Sequence, residues 1–280
     1  MHANDDAQAA EKEVLLIQWL RGAARVAIGY SGGVDSAYLA VVARNTLGMH
    51  HVLAVIGRSA SYPAEQWAAA RQVAESFGIL VAEVDTDELN DPKYAANPSN
   101  RCYFCKSELW SRLVPFASRF GFQTVVDGTN ADDLGDYRPG AQAAREQGIR
   151  SPLADCGFTK SQIRHRSRLL GIPTWSQPSS PCLSSRLPYG TRVTTERLAL
   201  IEETERAIRR LGIVDDLRVR YHDDLARVEL SCDELAHWLV PERFARLRDV
   251  VIAAGFPRMA LDLRGFRSGS LNVLHGVGAA

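Results

Sequence analysis

The residues best equipped for chemistry are Ser31-Gly32-Gly33-Val34-Asp35-Ser36, which follow the short apolar run Val26–Tyr30. Two adjacent glycines let backbone N–H groups approach phosphate oxygens, and Ser31 and Ser36 add hydroxyl donors. The string lacks the spacing and the lysine of a Walker A loop. A second constellation is Cys102-Tyr103-Phe104-Cys105, flanked by Arg101 and Lys106, whose cations favour thiolate. That spacing serves zinc, iron–sulfur clusters and redox pairs, or marks two small buried side chains that happen to be close. As a metal site it lacks a third ligand. Cys182 can supply one, because it stands in a proline-bracketed loop, Pro181-Cys182-Leu183-Ser184-Ser185-Arg186, beside an arginine. Cys156 and Cys232 lack such company and read as small buried residues. A third constellation is Arg218 and Arg220, which alternate on a strand and so share one face, with Glu229 on the next strand. Arg264, Arg267, Ser268 and Ser270 follow. Forked guanidinium donors suit phosphate, though a solvated sheet face is the competing reading.

These residues need a scaffold that gathers them. Apolar runs of strand length at Val26–Tyr30, 51–58, Ile79–Val84 and Thr124–Val126 alternate with helical periods at Asp35–Leu47, 63–78 and 106–120. Such alternation predicts βαβ units and a parallel sheet, whose ligands gather at the carboxyl ends of the strands. That edge would carry the serine–glycine string, Gly57-Arg58-Ser59, Asp85-Thr86-Asp87 and Asp127-Gly128-Thr129-Asn130. The C-x-x-C falls in a loop before the third helix. The proline-rich stretch 150–190 reads as an extended segment that crosses this edge and links two domains. From Thr194 the pattern becomes a helix, two strands over 217–221 and 226–231, a helix over 241–254 and a last strand near 259–263, a small α+β unit. The expected division is a flexible start over 1–13, an α/β domain over 14–175, a cysteine loop over 176–193 and an α+β domain over 194–274.

The 280 residues carry 33 basic and 33 acidic side chains, so no global charge draws the chain to nucleic acid or to a membrane surface. No run of about 18 apolar residues reads as a membrane span, and the polar start is unlike a secretory signal. Five cysteines in such a chain read as cytoplasmic thiols or metal ligands rather than a disulfide framework.

SGGVDS resembles the PP-loop of ATP pyrophosphatases, which split ATP between its α and β phosphates. With DGTNADD at 127–133, GFTKSQIR at 157–164, PCLSSRLPYG at 181–190 and RGFRSGSLN at 264–272, nearly the whole chain resembles the LarE family. These are ATP-dependent sulfur transferases of nickel-pincer nucleotide synthesis. The resemblance implies an α/β PP-loop domain of the adenine nucleotide alpha hydrolase kind with a smaller C-terminal α+β domain. It implies ATP and Mg²⁺ at Ser31, Gly32, Gly33, Val34, Asp35, Ser36, Gly57, Arg58, Ser59, Asp127, Gly128, Thr129 and Lys160, with Asp132 and Asp133 as metal-binding candidates or turn residues.

It further implies that a pyridinium-3,5-biscarboxylic acid mononucleotide is adenylated and then thiolated, its phosphate held by Arg218, Arg220 and Glu229. Cys182 matches the family's reactive cysteine, which where it stands alone gives up its own sulfur. With Cys102 and Cys105 present, three thiolates can hold a 4Fe-4S cluster whose open iron binds hydrosulfide, and this cluster is the expectation. Sulfide or another sulfur donor and a homo-oligomer follow from the same resemblance. The alternatives are a PP-loop tRNA thiolase, an ammonia-using NAD or GMP synthetase, and a non-catalytic ATP-binding module with structural zinc.

Overall fold

Alternating apolar strands and amphipathic helices recur in the computed structural model, which describes residues 3–135, 138–178 and 181–267. In chain order the elements are α1 (Ala3–Ala23), β1 (Val26–Gly29), α2 (Val34–Leu47), β2 (Val52–Arg58), α3 (Ala64–Ser76), β3 (Leu80–Asp85), α4 (Pro92–Ala95), α5 (Arg101–Arg119) and β4 (Thr124–Val126). There follow α6 (Pro139–Glu146), α7 (Pro152–Asp155), α8 (Lys160–Leu169), α9 (Thr195–Arg209), β5 (Leu217–His222), β6 (Leu225–Leu230), α10 (Cys232–Trp238), α11 (Pro241–Ala253) and β7 (Arg258–Leu261). The ends of the expected strands shift by a residue or two.

The chain forms two units, one from the stretches up to Glu88 and Asn100–Ser180, the other from Leu89–Ser99 and the chain after Pro181. In the first, a parallel sheet runs in the order β3-β2-β1-β4. Val26, Ala27 and Ile28 of β1 are fully buried because helices cover both faces, which is why the central strands read as unbroken apolar runs. Leu39, Val41 and Tyr38 of α2 join Leu16 and Leu20 of α1 and Ile163 of α8 in one core layer. Trp110, Leu113 and Ala117 of α5 pack with Ala27, Val55 and Val125 in the other. The strand order reverses between β1 and β4, so the crevice at their carboxyl ends is the switch point at which such sheets take ligands. SGGVDS leaves β1 there and DGTN leaves β4.

Three local expectations change. The start of the chain is helical rather than loose: α1 buries Ala9, Leu16 and Leu20, and Lys12 Nζ donates to Gly157 O at 2.6 Å and Gln162 Oε1 at 2.9 Å. Helix α5 begins at Arg101, so Cys102 and Cys105 stand in its first turn rather than in a loop before it. The stretch 150–190 is not one extended segment, for it contains α8, started by a capping box in which Thr159 and Gln162 satisfy each other's backbone.

The second unit lays α9 on a sheet in the order β5-β6-β7, antiparallel between β5 and β6 and parallel between β6 and β7. Residues 89–99 belong to it, contrary to the contiguous division expected. Gly190 N donates to Asn97 O at 2.9 Å and Val193 N to Ala95 O at 2.8 Å.

Candidate active site

The turn after β1 is built to leave donors unspent. Gly32 has φ +69°, and a Cβ there would lie 2.4 Å from Ala70 Cβ, so both the backbone and helix α3 require glycine. Gly33 has φ −67° and is the N-cap of α2 with no side-chain cap. Ser36 Oγ accepts from Ser31 N at 3.3 Å, lies 3.3 Å from Ser31 Oγ and donates to Gly33 O at 3.1 Å, which closes the turn on itself. Among the described residues, the N–H groups of Gly32, Gly33, Val34, Asp35 and Ser36 have no protein acceptor. Consecutive unspent N–H groups at a helix start hold an anion without any formal charge.

The DGTN loop closes the other side. A Cβ on Gly128 would fall 2.9 Å from Ser36 N, so this glycine lets the β4 loop lie against the first turn of α2. Asp127 accepts from Thr129 N at 3.1 Å, Thr129 Oγ1 at 2.9 Å and Ser151 Oγ at 2.7 Å, and is spent on shaping the loop. Asp132 accepts from Lys160 N at 2.8 Å, while Asp133 accepts from Asn130 N at 3.1 Å and pairs with Arg138 at 2.7 Å. The turn reading of Asp132 and Asp133 thus accounts for their contacts. A cleft of about 390 Å³ opens beside the loop, lined by Asp127, Thr129, Arg138, Gln142, Arg145 and Ser151.

Lys160, the first residue of α8, reaches Asp35 Oδ2. Burial pushes the Asp35 carboxyl above its ordinary range, against the pull of Lys160. Among the described residues its Oδ1 is buried with no hydrogen-bond partner, and the Asn130 amide favours the carboxylate form. A Mg²⁺ ion binds through one or two carboxylates plus substrate phosphates, and Asp35 with its unsatisfied oxygen fits that donor set. Gly57 is tight against Leu109 Cδ1, at 2.5 Å from its would-be Cβ, so helix packing explains it. Arg58 lies 3.5 Å from Glu83 and 3.8 Å from Asp85, and Ser59 Oγ lies 2.7 Å from Ser61 Oγ.

Cys102 and Cys105, three residues apart, share one face of the first turn of α5. Among the described residues no group of three His, Cys, Asp or Glu side chains is gathered closely enough to hold a metal ion. Of the three thiols expected to act together, Cys102 and Cys105 belong to the first unit and Cys182 to the second. Cys156 is half-buried, but Cys232 is exposed, unlike the buried residue expected.

In the second unit the Cys182 loop is held from within. Arg186, only 2% exposed, makes a two-pronged pair with Glu205 at 3.0 and 3.1 Å and donates to Cys182 O at 3.0 Å and to Pro181 O. Glu205 also accepts from Val219 N at 2.9 Å. Arg220 donates to Ser185 O at 2.8 Å and pairs with Glu229 at 2.9 Å. Tyr94 Oη lies 2.6 Å from Ser184 Oγ. The loop is therefore pinned through the Arg186 side chain to α9, through the Ser185 carbonyl to β5 and through the Ser184 side chain to α4, while the Cys182 side chain stays half-exposed. Arg218, Arg220 and Glu229 do share a face and are buried rather than solvated, as are Leu217, Val219 and Val228 on the opposite face. Burial first, and then the Arg186 cation, lower Arg218 to about 10, and its guanidinium lies 4.9 Å from the Phe266 ring. Ser268 and Ser270 lie outside the described residues.

Sequence reasoning missed Glu205, whose position on α9 carries no local signal, and Tyr62 and Gln66, which bond the carbonyl of Ser31. It passed over Thr159-x-x-Gln162, a capping signature that could have placed Lys160 at a helix start.

Residues 16–112 match the family model described as NAD synthase. The chain is 45% identical over 248 residues to the uncharacterized protein slr1717 of Synechocystis, covering 89% of this chain and 92% of that one. It is 35% identical over 263 residues to the pyridinium-3,5-bisthiocarboxylic acid mononucleotide synthase of Lactiplantibacillus plantarum, covering 94% of each. An NH(3)-dependent NAD(+) synthetase of Methanococcoides burtonii is 27% identical over 154 residues, 52% of this chain and 57% of that one.

Proposed function

The chain belongs to the LarE family of ATP-using sulfurtransferases, and on that premise we propose that it converts pyridinium-3,5-biscarboxylic acid mononucleotide to its bisthiocarboxylic acid. A carboxylate is a poor acyl electrophile because oxide would have to leave. Attack of a carboxylate oxygen on the α phosphorus of ATP breaks the bond to pyrophosphate and leaves an acyl adenylate. A sulfur nucleophile then attacks the acyl carbon, and AMP departs with the former carboxylate oxygen. The observation that carries this reading is the run of unspent N–H groups from Gly32 to Ser36, beside Lys160 and Asp35. It suits a pyrophosphate, with Asp35 directed to Mg²⁺. Arg218 and Arg220 are assigned to the nucleotide phosphate of the substrate, with Glu229 acting through the Arg220 guanidinium that it holds at 2.9 Å. Arg220 bonds Glu229 and Ser185 O, and Arg218 donates to Leu217 O at 2.6 Å, so both guanidinium groups are held in place on the same face of β5.

For the sulfur, the proposal is that Cys102, Cys105 and Cys182 hold a 4Fe-4S cluster. Such a cluster, when bound by three thiolates, supplies an iron with an open position for hydrosulfide. The competing route breaks the Cβ–S bond of Cys182 by elimination and leaves dehydroalanine. The presence of a C-x-x-C, which the second route does not use, favours the first. The proposal includes a homo-oligomer, which rests on the family resemblance.

The test uses anaerobically purified protein with iron and sulfide quantified, then supplied with substrate, ATP, Mg²⁺ and sulfide. AMP, pyrophosphate and thiocarboxylate should accumulate over many turnovers, and Cys102→Ala should abolish both iron binding and turnover. ADP and phosphate as products would sink the adenylation. A single turnover with dehydroalanine at position 182 would sink the cluster.

A further inference from the structure

We propose that Tyr62 and Gln66 are positioning residues that hold the Ser31–Gly32 peptide so that the Gly32 N–H faces the anion site of the loop. Tyr62 Oη donates to Ser31 O at 2.9 Å and Gln66 Nε2 donates to the same oxygen at 3.1 Å. Two donors on one carbonyl occupy both of its lone pairs. In a planar trans peptide the C=O and the following N–H point in opposite directions. A Ser31 carbonyl held toward α3 therefore turns the Gly32 N–H away from α3.

The clamp answers a weakness that the glycine itself creates. Only glycine adopts φ +69° at position 32 without strain, yet glycine is also free to adopt the negative φ that a flip of this peptide would produce. A flipped peptide would present the Ser31 carbonyl, an acceptor, to the phosphate oxygens and would withdraw a donor. The neighbouring contacts hold α3 in place for the task. Ala70 of α3 fills the space beside Gly32, and Tyr30 Oη donates to Ala70 O at 3.1 Å. Burial, with a further push from Tyr30, raises the Tyr62 phenol well above its ordinary range, so it remains a donor at every working pH.

This inference rests on the loop being the site of the ATP phosphates, and it names what keeps that site in its binding form. The test compares full-length protein with Tyr62→Phe, Gln66→Met and the double variant. The readouts are inhibition by inorganic pyrophosphate, binding of adenosine, and melting temperature. Each single variant retains one donor and should lose at most about threefold in pyrophosphate affinity. The double variant should lose about tenfold or more, the scale of one hydrogen bond to a charged acceptor, with adenosine binding and melting temperature unchanged. A double variant that binds pyrophosphate as the unaltered protein does would overturn the clamp and leave the phosphate-loop reading intact. Equal losses of pyrophosphate, adenosine and melting temperature would make Tyr62 and Gln66 packing residues and overturn it as well. If the unaltered protein does not bind pyrophosphate, both readings fall.

Discussion

The phosphate loop and the Cys182 loop are both gathered around polar groups, and they do so in opposite ways. The loop after β1 carries unspent backbone N–H groups and two glycines, with its one carboxylate, Asp35, turned to Lys160. The Cys182 loop is surrounded by the buried charges of Arg186, Arg218, Arg220 and Glu229, with Glu205 beside them, and many of these charges are spent on one another or on loop carbonyls. A site made of backbone donors is ready for an anion and contributes little to folding. A site made of buried charges must first be balanced internally, because an unpaired buried charge is expensive. Damage to the first should therefore appear in activity, and damage to the second in stability.

The largest effect expected is from Glu205→Ala. It removes both oxygens from a guanidinium that is 2% exposed, and breaking such a pair costs about 3–5 kcal/mol. Chemical denaturation should show that loss, and a change under 1 kcal/mol would break the contrast. Next comes Gly32→Ala, where the side chain meets Ala70 and φ +69° is strained. Pyrophosphate formation should fall by about a hundredfold, with about 1–3 kcal/mol lost from stability. Gly33→Ala provides the internal control. Within the protein its Cβ would meet Ser31 Oγ at 3.5 Å, an ordinary contact, so stability should be unchanged, and a fall in AMP formation then reports the approach of phosphate to bare backbone alone.

Lys160→Met comes third. Burial already raises the Asp35 carboxyl, and without the cation opposing it the carboxyl rises further. The ATP KM should increase by about tenfold, the scale of one charge-assisted bond, and the acid limb of the pH–rate profile should move to higher pH. An unmoved limb would show that Asp35 does not titrate in the cycle.

The smallest effect belongs to α1. Burial raises the Glu13 carboxyl, but hydrogen bonds from Arg166 and Tyr38 outweigh it and leave the group below the ordinary 4.5. The stability from this pair is present above pH 4.5 and lost as pH falls through the lower folded value. Glu13→Gln should cost roughly 1 kcal/mol near pH 7, with the two proteins converging as the medium is acidified below pH 4. Melting curves across that range check the sign. A gap that widens on acidification would reverse it.

The sheet and the first site could be read early because their signals are local. A buried parallel strand must be apolar on both faces, and a turn that brings backbone to an anion must be rich in glycine, so Val26 to Ser36 states both. The C-x-x-C was visible as a spacing, yet its place in the first turn of α5 was not. Tyr103 and Phe104 between the cysteines suit a helix no better than a loop, and the Trp110, Leu113 and Ala117 stripe that settles it lies further on. The helix α8 was hidden by the prolines around it, although Thr159 and Gln162 marked its start.

The sequence by itself determined which backbone is free of side chains, which strands are buried and where each cysteine stands along the chain. All of these depend on residue type and near neighbours. Tertiary structure alone decided that residues 89–99 belong with the second unit, that Glu205 answers Arg186, and that Ser31 O is held by Tyr62 and Gln66. A guanidinium or a carbonyl takes whatever partner folding brings within about 3 Å, and nothing in the order of residues lists those partners in advance.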